Sequence, residues 1–252
     1  MPRYKLTIEY DGAGYAGWQR QANGASIQQA LEEALLALTG ERLVVHGAGR
    51  TDAGVHAMGQ VAHVDLARDW RGWRLGDAIN AHLAPQPIAV IEAERAADDF
   101  DARRRATMRH YLYRVVNRRA PLTFERGRAW QVKRQLDATA MREAARALLG
   151  RHDFSTFRDS QCQAKSPVRT LARFEVARDG ERVDFAVGAL SFLHRQVRSM
   201  VGSLVEVGLG KWRAADLEAA LEAAYRSRCG PVAPACGLYL ARVDYAARRE
   251  EK

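Results

Sequence analysis

The sequence predicts an α+β protein in which two similar halves share a mostly antiparallel sheet flanked by helices. Three observations carry this. Strand-period and helix-period segments alternate along the 252 residues. The turn pair Asp179-Gly180 between two β-patterned runs reads as a hairpin, hence antiparallel pairing. The second half then repeats the kinds of element found in the first. The halves are expected to meet near Asp98 to Ala106, giving an N-terminal half at 1–100 and a C-terminal half at 101–252.

Each element has a local reason. Tyr4 to Tyr10 alternates, with Tyr4, Leu6, Ile8 and Tyr10 on one face, and Asp11-Gly12 ends the strand. Ser26 opens a helix, with Gln29 as the partner in a capping box and Gly40 as its stop. Ile27, Leu31, Leu35 and Leu38 form the buried stripe. Strands are expected at Leu43 to His46 and Gln60 to Leu66, joined by the loop HGAGRTDAGVHAMG. A second helix buries Leu75, Ile79 and Leu83, and a short strand covers Ile88 to Ile91. In the second half, Arg109 to Asn117 reads as a strand, and a helix from Asp137 carries Met141, Ala145 and Leu148. Thr170 to Arg178 and Glu181 to Val187 make the hairpin. Helices follow at Phe192 to Val207 and Ala214 to Arg226, then a strand at Leu238 to Tyr245 and a charged tail, ARREEK.

Composition narrows the function classes. Apolar residues make up 47% and charged residues 27%, and no apolar run approaches the roughly 18 residues of a membrane span. The N-terminal MPRYKLTIEYDG alternates and lacks the apolar block of a signal peptide. The expectation is a soluble, cytoplasmic protein. Cys162, Cys229 and Cys236 are odd in number and contain no C-x-x-C, so they are expected to be reduced thiols. The spacing of His46, His56 and His63 matches no ligand pattern; neither metal nor cofactor is expected.

The formal charge is +9, and only five of the 39 basic residues are Lys. An Arg excess suits phosphate and base contacts, and a GC-rich genome produces it equally well. Position favours nucleic acid. Between Arg103 and Arg128 stand nine Arg and one acidic residue, Glu125, with Tyr111, Tyr113 and Phe124 interleaved. Such a segment repels itself unless a polyanion neutralises it.

The stretch GAGRTDAGVHAMG, Gly47 to Gly59, holds four glycines in thirteen residues, a sign of sharp turns or close backbone approach. Its G-x-G-x-x-x-x-G spacing is neither a dinucleotide fingerprint nor a P-loop. It presents a carboxylate, Asp52, two residues after Arg50. Two readings fit, a catalytic group and a turn-forming Asp bonded to its own backbone. Tyr111 alternates along its strand as a core aromatic would, and Tyr113 shares its face and reads as packing. On the helix Phe192 to Val207, His194 and Arg198 lie four apart, away from the stripe of Leu193, Val197, Met200, Val201 and Leu204. A solvated basic face accounts for that pattern.

Six stretches together resemble a known family over nearly the whole chain. They are DGAGYAGWQRQ (Asp11 to Gln21), GRTDAGVHAMGQVAHVD (Gly49 to Asp65), RRATMRHYLYRVVN (Arg104 to Asn117), HDFSTFR (His152 to Arg158), FLHRQVRSMVGSLVEVGLGK (Phe192 to Lys211) and GLYLARVDY (Gly237 to Tyr245). In order and spacing they resemble the TruA family of tRNA pseudouridine synthases. Asp101, Arg104 and Cys236 depart from the family's usual residues, which bears on substrate contacts rather than chemistry.

The resemblance implies the pseudouridine synthase fold, a homodimer, no cofactor, and tRNA as partner, with uridines 38, 39 and 40 of the anticodon stem-loop as targets. It implies Asp52 as the catalytic carboxylate and Arg198 as the cation that pairs with it. Tyr111 matches the active-site tyrosine, whose ring would stack on uracil; Arg50 would contact RNA. Two other classes of function stand against it. One is a non-catalytic tRNA-binding protein on the same fold, which the presence of Asp52 argues against. The other is a nucleosidase-like hydrolase, which would release free uracil.

Overall fold

The structure, a computed structural model, describes residues 1–22 and 24–246; the tail ARREEK at 247–252 lies outside the described residues. In chain order the elements are β1 (Arg3–Tyr10), α1 (Ile27–Thr39), β2 (His46–Gly47), β3 (His56–Asp65), α2 (Gly72–Leu83), β4 (Ile88–Arg95) and β5 (Ala106–Val116). There follow β6 (Trp130–Gln131), α3 (Ala138–Ala145), β7 (Gly150–Asp153), β8 (Val168–Asp179), β9 (Arg182–Ala189), α4 (Gln196–Gly208), α5 (Ala214–Glu222) and β10 (Leu238–Tyr245). The architecture is α+β with mostly antiparallel pairing, as the alternating patterns predict. No helix among the described residues is long and apolar enough to cross a membrane.

The chain divides into two compact units, residues 1–109 with 239 onward, and residues 110–238. In the first, the strands run β4-β1-β3-β10. β1 is antiparallel to β3, with Leu6 opposite Ala62, and to β4, with Leu6 opposite Ala93. β10 runs parallel to β3, pairing Tyr239 with His56. The period-two face of β1 is buried as predicted, Tyr4, Leu6 and Ile8 completely. α1 buries Ile27, Leu31 and Leu35, each worth about 1.5–3 kcal/mol when removed from water. Its predicted punctuation is present. Ser26 Oγ accepts from the Gln29 N–H at 3.2 Å, and Gly40 takes a left-handed φ of 76°. The Gln29 amide donates to Glu33 instead of closing the capping box. α2 buries Leu75, Ile79 and Leu83 and is tied to β4 by reciprocal bonds between Asn80 and Val90, at 2.9 and 2.7 Å.

In the second unit the strands run β5-β9-β8-β7, with β7, β8 and β9 antiparallel. Asp137 caps α3 by accepting from the Thr139 and Ala140 N–H groups, both at 2.9 Å, and Met141, Ala145 and Leu148 are buried as predicted.

Several expected boundaries move, each for a visible reason. Of the predicted strand Leu43 to His46 only His46 pairs, together with Gly47 beyond it; the Val45 N–H donates instead to Glu32 of α1 at 3.3 Å. β3 starts at His56 rather than Gln60 because Ala57 pairs with Tyr10 and Leu240, so the glycine loop is shorter than expected. β4 continues beyond Ile91 to Arg95 as the partner of β1. The hairpin turns at Gly180-Glu181, since Asp179 pairs with Arg182, and Gly180 supplies the left-handed φ of 56°. α5 stops at Glu222, followed by Ala224 at φ 46°. α4 begins at Gln196, not Phe192. Arg195 stands before it at φ 58°, a conformation that costs a residue with a Cβ about 1–2 kcal/mol.

Candidate active site

The Asp52 loop is built backbone-first. After β2, the Ala48 N–H donates to Val61 at 2.7 Å and the Gln60 side chain donates to the Gly49 carbonyl at 2.9 Å. Arg109 is buried and aims Nε and Nη2 at the Ala48 carbonyl, at 3.2 and 2.7 Å. One arginine of the basic block is thus turned inward: the buried Ala48 carbonyl needs a partner, and Arg109 supplies two donors. Thr51 accepts from the Trp18 N–H at 3.0 Å, the Gly54 N–H reaches Tyr15 at 3.3 Å, and the Val55 N–H closes a turn onto the Asp52 carbonyl at 3.1 Å. Arg50 is exposed and Asp52 half-buried.

The segment Asp11 to Gln21 is the bed beneath this turn. A Cβ on Gly12 would stand 2.0 Å from the Val55 carbonyl oxygen. Gly17, at φ 108°, would place one 2.6 Å from the Thr51 oxygen. Tyr10, fully enclosed, meets the Thr51 hydroxyl at 2.8 Å. Burial pushes the Tyr10 phenol up to about 12, despite the lowering effect of bonds to Thr51 and Gln60. Below the turn, the His56 Nδ1 accepts from the Gly12 N–H at 3.1 Å and its ring stacks on Tyr239 at 4.8 Å. By sequence alone Tyr10 belongs to a strand face and Gly12 to a turn; their part in supporting the Asp52 loop, with Gly17 and Trp18, is visible only in the structure. The available signal was the glycine spacing of DGAGYAG, which marks close backbone approach.

The second unit carries the other two candidates. Tyr111 is half-buried on β5, edge-on to Phe192 at 5.1 Å and 89°. Tyr113 is a packing residue, as predicted. It is wholly buried, its hydroxyl donates to Pro234 at 2.8 Å, and desolvation raises its pKa far above the ordinary phenol value. Arg198 projects from the first turn of α4, half-buried. Its Nε donates to the Ala233 carbonyl at 2.8 Å, and the Ala233 N–H returns to the Arg198 carbonyl at 3.1 Å. His194 precedes the helix, so it does not share a helical face with Arg198 as the spacing suggested; the left-handed Arg195 breaks the period.

Asp52 and Arg50 thus belong to the first unit, Tyr111 and Arg198 to the second. Among the described residues, no group of three or more His, Cys, Asp or Glu side chains is placed to hold a metal ion. The three cysteines are free thiols.

A family profile described as tRNA pseudouridine synthase matches residues 6–103 and 144–246, spans that contain the bed, the Asp52 loop, α4 and β10. The chain belongs to this family of RNA-modifying isomerases. It is 65% identical over 245 residues to tRNA pseudouridine synthase A of Methylocella silvestris, covering 97% of this chain and 99% of that one. The protein of that name from Beijerinckia indica subsp. indica is 64% identical over 252 residues, with 100% and 97% covered. That from Maricaulis maris is 64% identical over 245 residues, with 97% and 98% covered.

Proposed function

We propose that this protein converts uridine to pseudouridine in tRNA at positions 38, 39 and 40 of the anticodon stem-loop, with Asp52 as the catalytic carboxylate. The observation that carries the reading is the Arg50-Thr51-Asp52 turn of a tRNA pseudouridine synthase, its backbone clamped by Trp18 and Tyr15.

The reaction breaks the bond from N1 of uracil to C1′, turns the base, and joins C5 to C1′. The hydrogen on C5 leaves as a proton and N1 takes one up, so no electron is transferred. A carboxylate nucleophile splits such a displacement into easier steps. Asp52 supplies it and Arg198 serves as its cationic partner. Tyr111 offers a ring for the detached uracil to stack on. The target must leave its stack to be reached, and Arg50, exposed beside Asp52, is suited to the RNA backbone or to the gap left behind. The protein acts as a cytoplasmic homodimer without cofactor.

Pseudouridine mapping of tRNA from cells with and without the gene tests the assignment. Loss of the modification at 38, 39 and 40 alone is expected; its persistence there would overturn it. Free uracil among the products in vitro would favour the hydrolase.

A further inference from the structure

We propose that Asp159 is a positioning residue for this reaction, setting through Arg195 and His194 where α4 begins and hence where Arg198 projects. The proposal rests on the reading of Arg198 as the partner of the catalytic carboxylate. Asp159 follows a 3₁₀ turn, Ser155–Phe157, and is 8% exposed. One carboxylate oxygen lies 3.0 Å from Arg195 Nη1; the other lies 3.5 Å from His194 Nδ1 and accepts from the Gln161 N–H at 2.9 Å. The Asp159 N–H donates to the His194 carbonyl at 3.1 Å, so backbone and side chain both grip the two residues before the helix.

A buried carboxylate persists as a charge only where it is paired and bonded. Burial here works against ionisation. The Gln161 N–H, the guanidinium groups of Arg195 and Arg226 and the neighbouring His194 ring outweigh it and hold Asp159 below the usual carboxylate range. The charge therefore stays in place to hold Arg195, and Arg195 needs holding. At φ 58° and ψ 10° it occupies a region that arginine does not favour. Gln196 reinforces the same turn, accepting from the Leu193 N–H at 2.8 Å and donating its own N–H to the Leu193 carbonyl at 3.1 Å. The helix then starts with the Ser199 N–H on the Arg195 carbonyl, at 2.9 Å. Arg198 lies within that first turn. If Arg195 relaxes to an ordinary conformation, the first turn is displaced before the rest of the helix. A misplacement near 1 Å at a reacting group can cost about a hundredfold in rate.

Glycine separates this role from a general contribution to stability, because it takes positive φ freely. With glycine at 195 the carboxylate no longer has a strained residue to hold, although its contact with His194 remains. The experiment compares Asp159→Ala, Arg195→Gly, their combination, and Arg198→Ala in the full chain. Single-turnover tritium release from 5-tritiated uridine in tRNA, tRNA affinity and melting temperature are measured for each. Asp159→Ala is expected to bind tRNA within about threefold of wild type and to react about 10- to 100-fold more slowly. The combined variant is expected to react within about threefold of Arg195→Gly alone, because glycine removes the strain. A wild-type rate in Asp159→Ala, or a combined variant that falls below Arg195→Gly by the same factor as Asp159→Ala falls below wild type, overturns the proposal. A wild-type rate in Arg198→Ala overturns the reading beneath it and this proposal together. An inactive Arg198→Ala beside a fully active Asp159→Ala overturns this proposal alone. If Asp159→Ala fails to fold, Asp159→Asn, which keeps the size and an acceptor oxygen, is put through the same comparison with the same outcomes.

Discussion

The phenol oxygen of Tyr10 lies 2.8 Å from the hydroxyl oxygen of Thr51, the residue immediately before Asp52. The phenol is enclosed and its pKa stands at about 12, against 10.0 for an ordinary tyrosine. A group whose folded pKa is raised adds stability that is complete below its unfolded pKa and is lost as pH climbs through the folded one. Tyr10 therefore contributes fully below about pH 10 and loses its contribution between pH 10 and 12. Tyr10→Phe is expected to cost roughly 1 kcal/mol at pH 8, by leaving the Thr51 hydroxyl without this partner. It should also flatten the fall in stability between pH 10 and 12. Denaturant unfolding across that range measures both; parallel curves for the two proteins would refute the assignment.

The bed under the turn makes a second expectation. Gly17→Ala drives a methyl group to 2.6 Å from the Thr51 oxygen at a φ of 108° that alanine resists. Turnover should fall at least about tenfold as the Asp52 turn shifts, with tRNA affinity less affected. Gly14 is the matched control, because an added Cβ there meets nothing within 4 Å. Gly14→Ala should keep wild-type turnover, and equal effects from the two substitutions would show that the bed does not position Asp52.

Where the physics was local, the sequence was readable. The alternating β1, the Ser26 and Gly40 punctuation of α1, the Asp137 cap and the limits of β10 all follow from neighbours in the chain. Where a distant residue decides, the reading failed. Nothing in Leu-His-Arg-Gln announces a left-handed Arg195, because the carboxylate facing it belongs to Asp159 on another segment. The charge block hid Arg109, an arginine that satisfies a buried carbonyl instead of meeting solvent. The Asp52 turn was legible as a motif, but its support by Gly12 and Gly17 appears only once two stretches about forty residues apart are brought together.

The arginine block, less Arg109, makes a prediction about binding. Arg103, Arg104 and Arg105 are exposed, two of them in ion pairs with Asp101 and Asp99. Exposed pairs of this kind are weak, so the guanidinium groups remain available to phosphate. Replacing all three with Ala should weaken tRNA binding without changing which uridine is modified. The slope of log affinity against log salt should become shallower by about 0.7 to 0.9 for each phosphate that is no longer neutralised. Filter binding at several salt concentrations measures it, and an unchanged slope would place these arginines away from the RNA.

Tyr111 allows stacking to be separated from chemistry. Its ring is half-buried against Phe192. Tyr111→Phe keeps the ring and loses the hydroxyl, whereas Tyr111→Leu removes the aromatic face. If the hydroxyl takes part in the chemistry, the Phe variant should lose turnover sharply while binding tRNA normally. If only the face matters, the Phe variant should match wild type and the Leu variant should fail. A Phe variant with a collapsed melting temperature would mark Tyr111 as a core residue.

The central assignment is tested at Asp52 itself. Asp52→Asn preserves size and most local hydrogen bonding but removes the negative charge and the nucleophilic oxygen. The turn it sits in is held by backbone bonds from Trp18, Gly54 and Val55, none of which needs the carboxylate. The substitution should therefore cost at most about 1 kcal/mol in stability and leave the melting transition cooperative. A turn-forming Asp replaced in this way would leave turnover measurable. Loss of an essential nucleophile instead lowers it by about a thousandfold or more, with tRNA affinity largely kept. The readings differ by orders of magnitude in one assay, release of tritium from 5-tritiated uridine in tRNA, because forming the bond at C5 expels that hydrogen. Melting temperature and tRNA binding are checked on the same preparation. A folded, tRNA-binding Asp52→Asn protein that released tritium at near the wild-type rate would remove Asp52 from the mechanism and leave the bed beneath it supporting a turn.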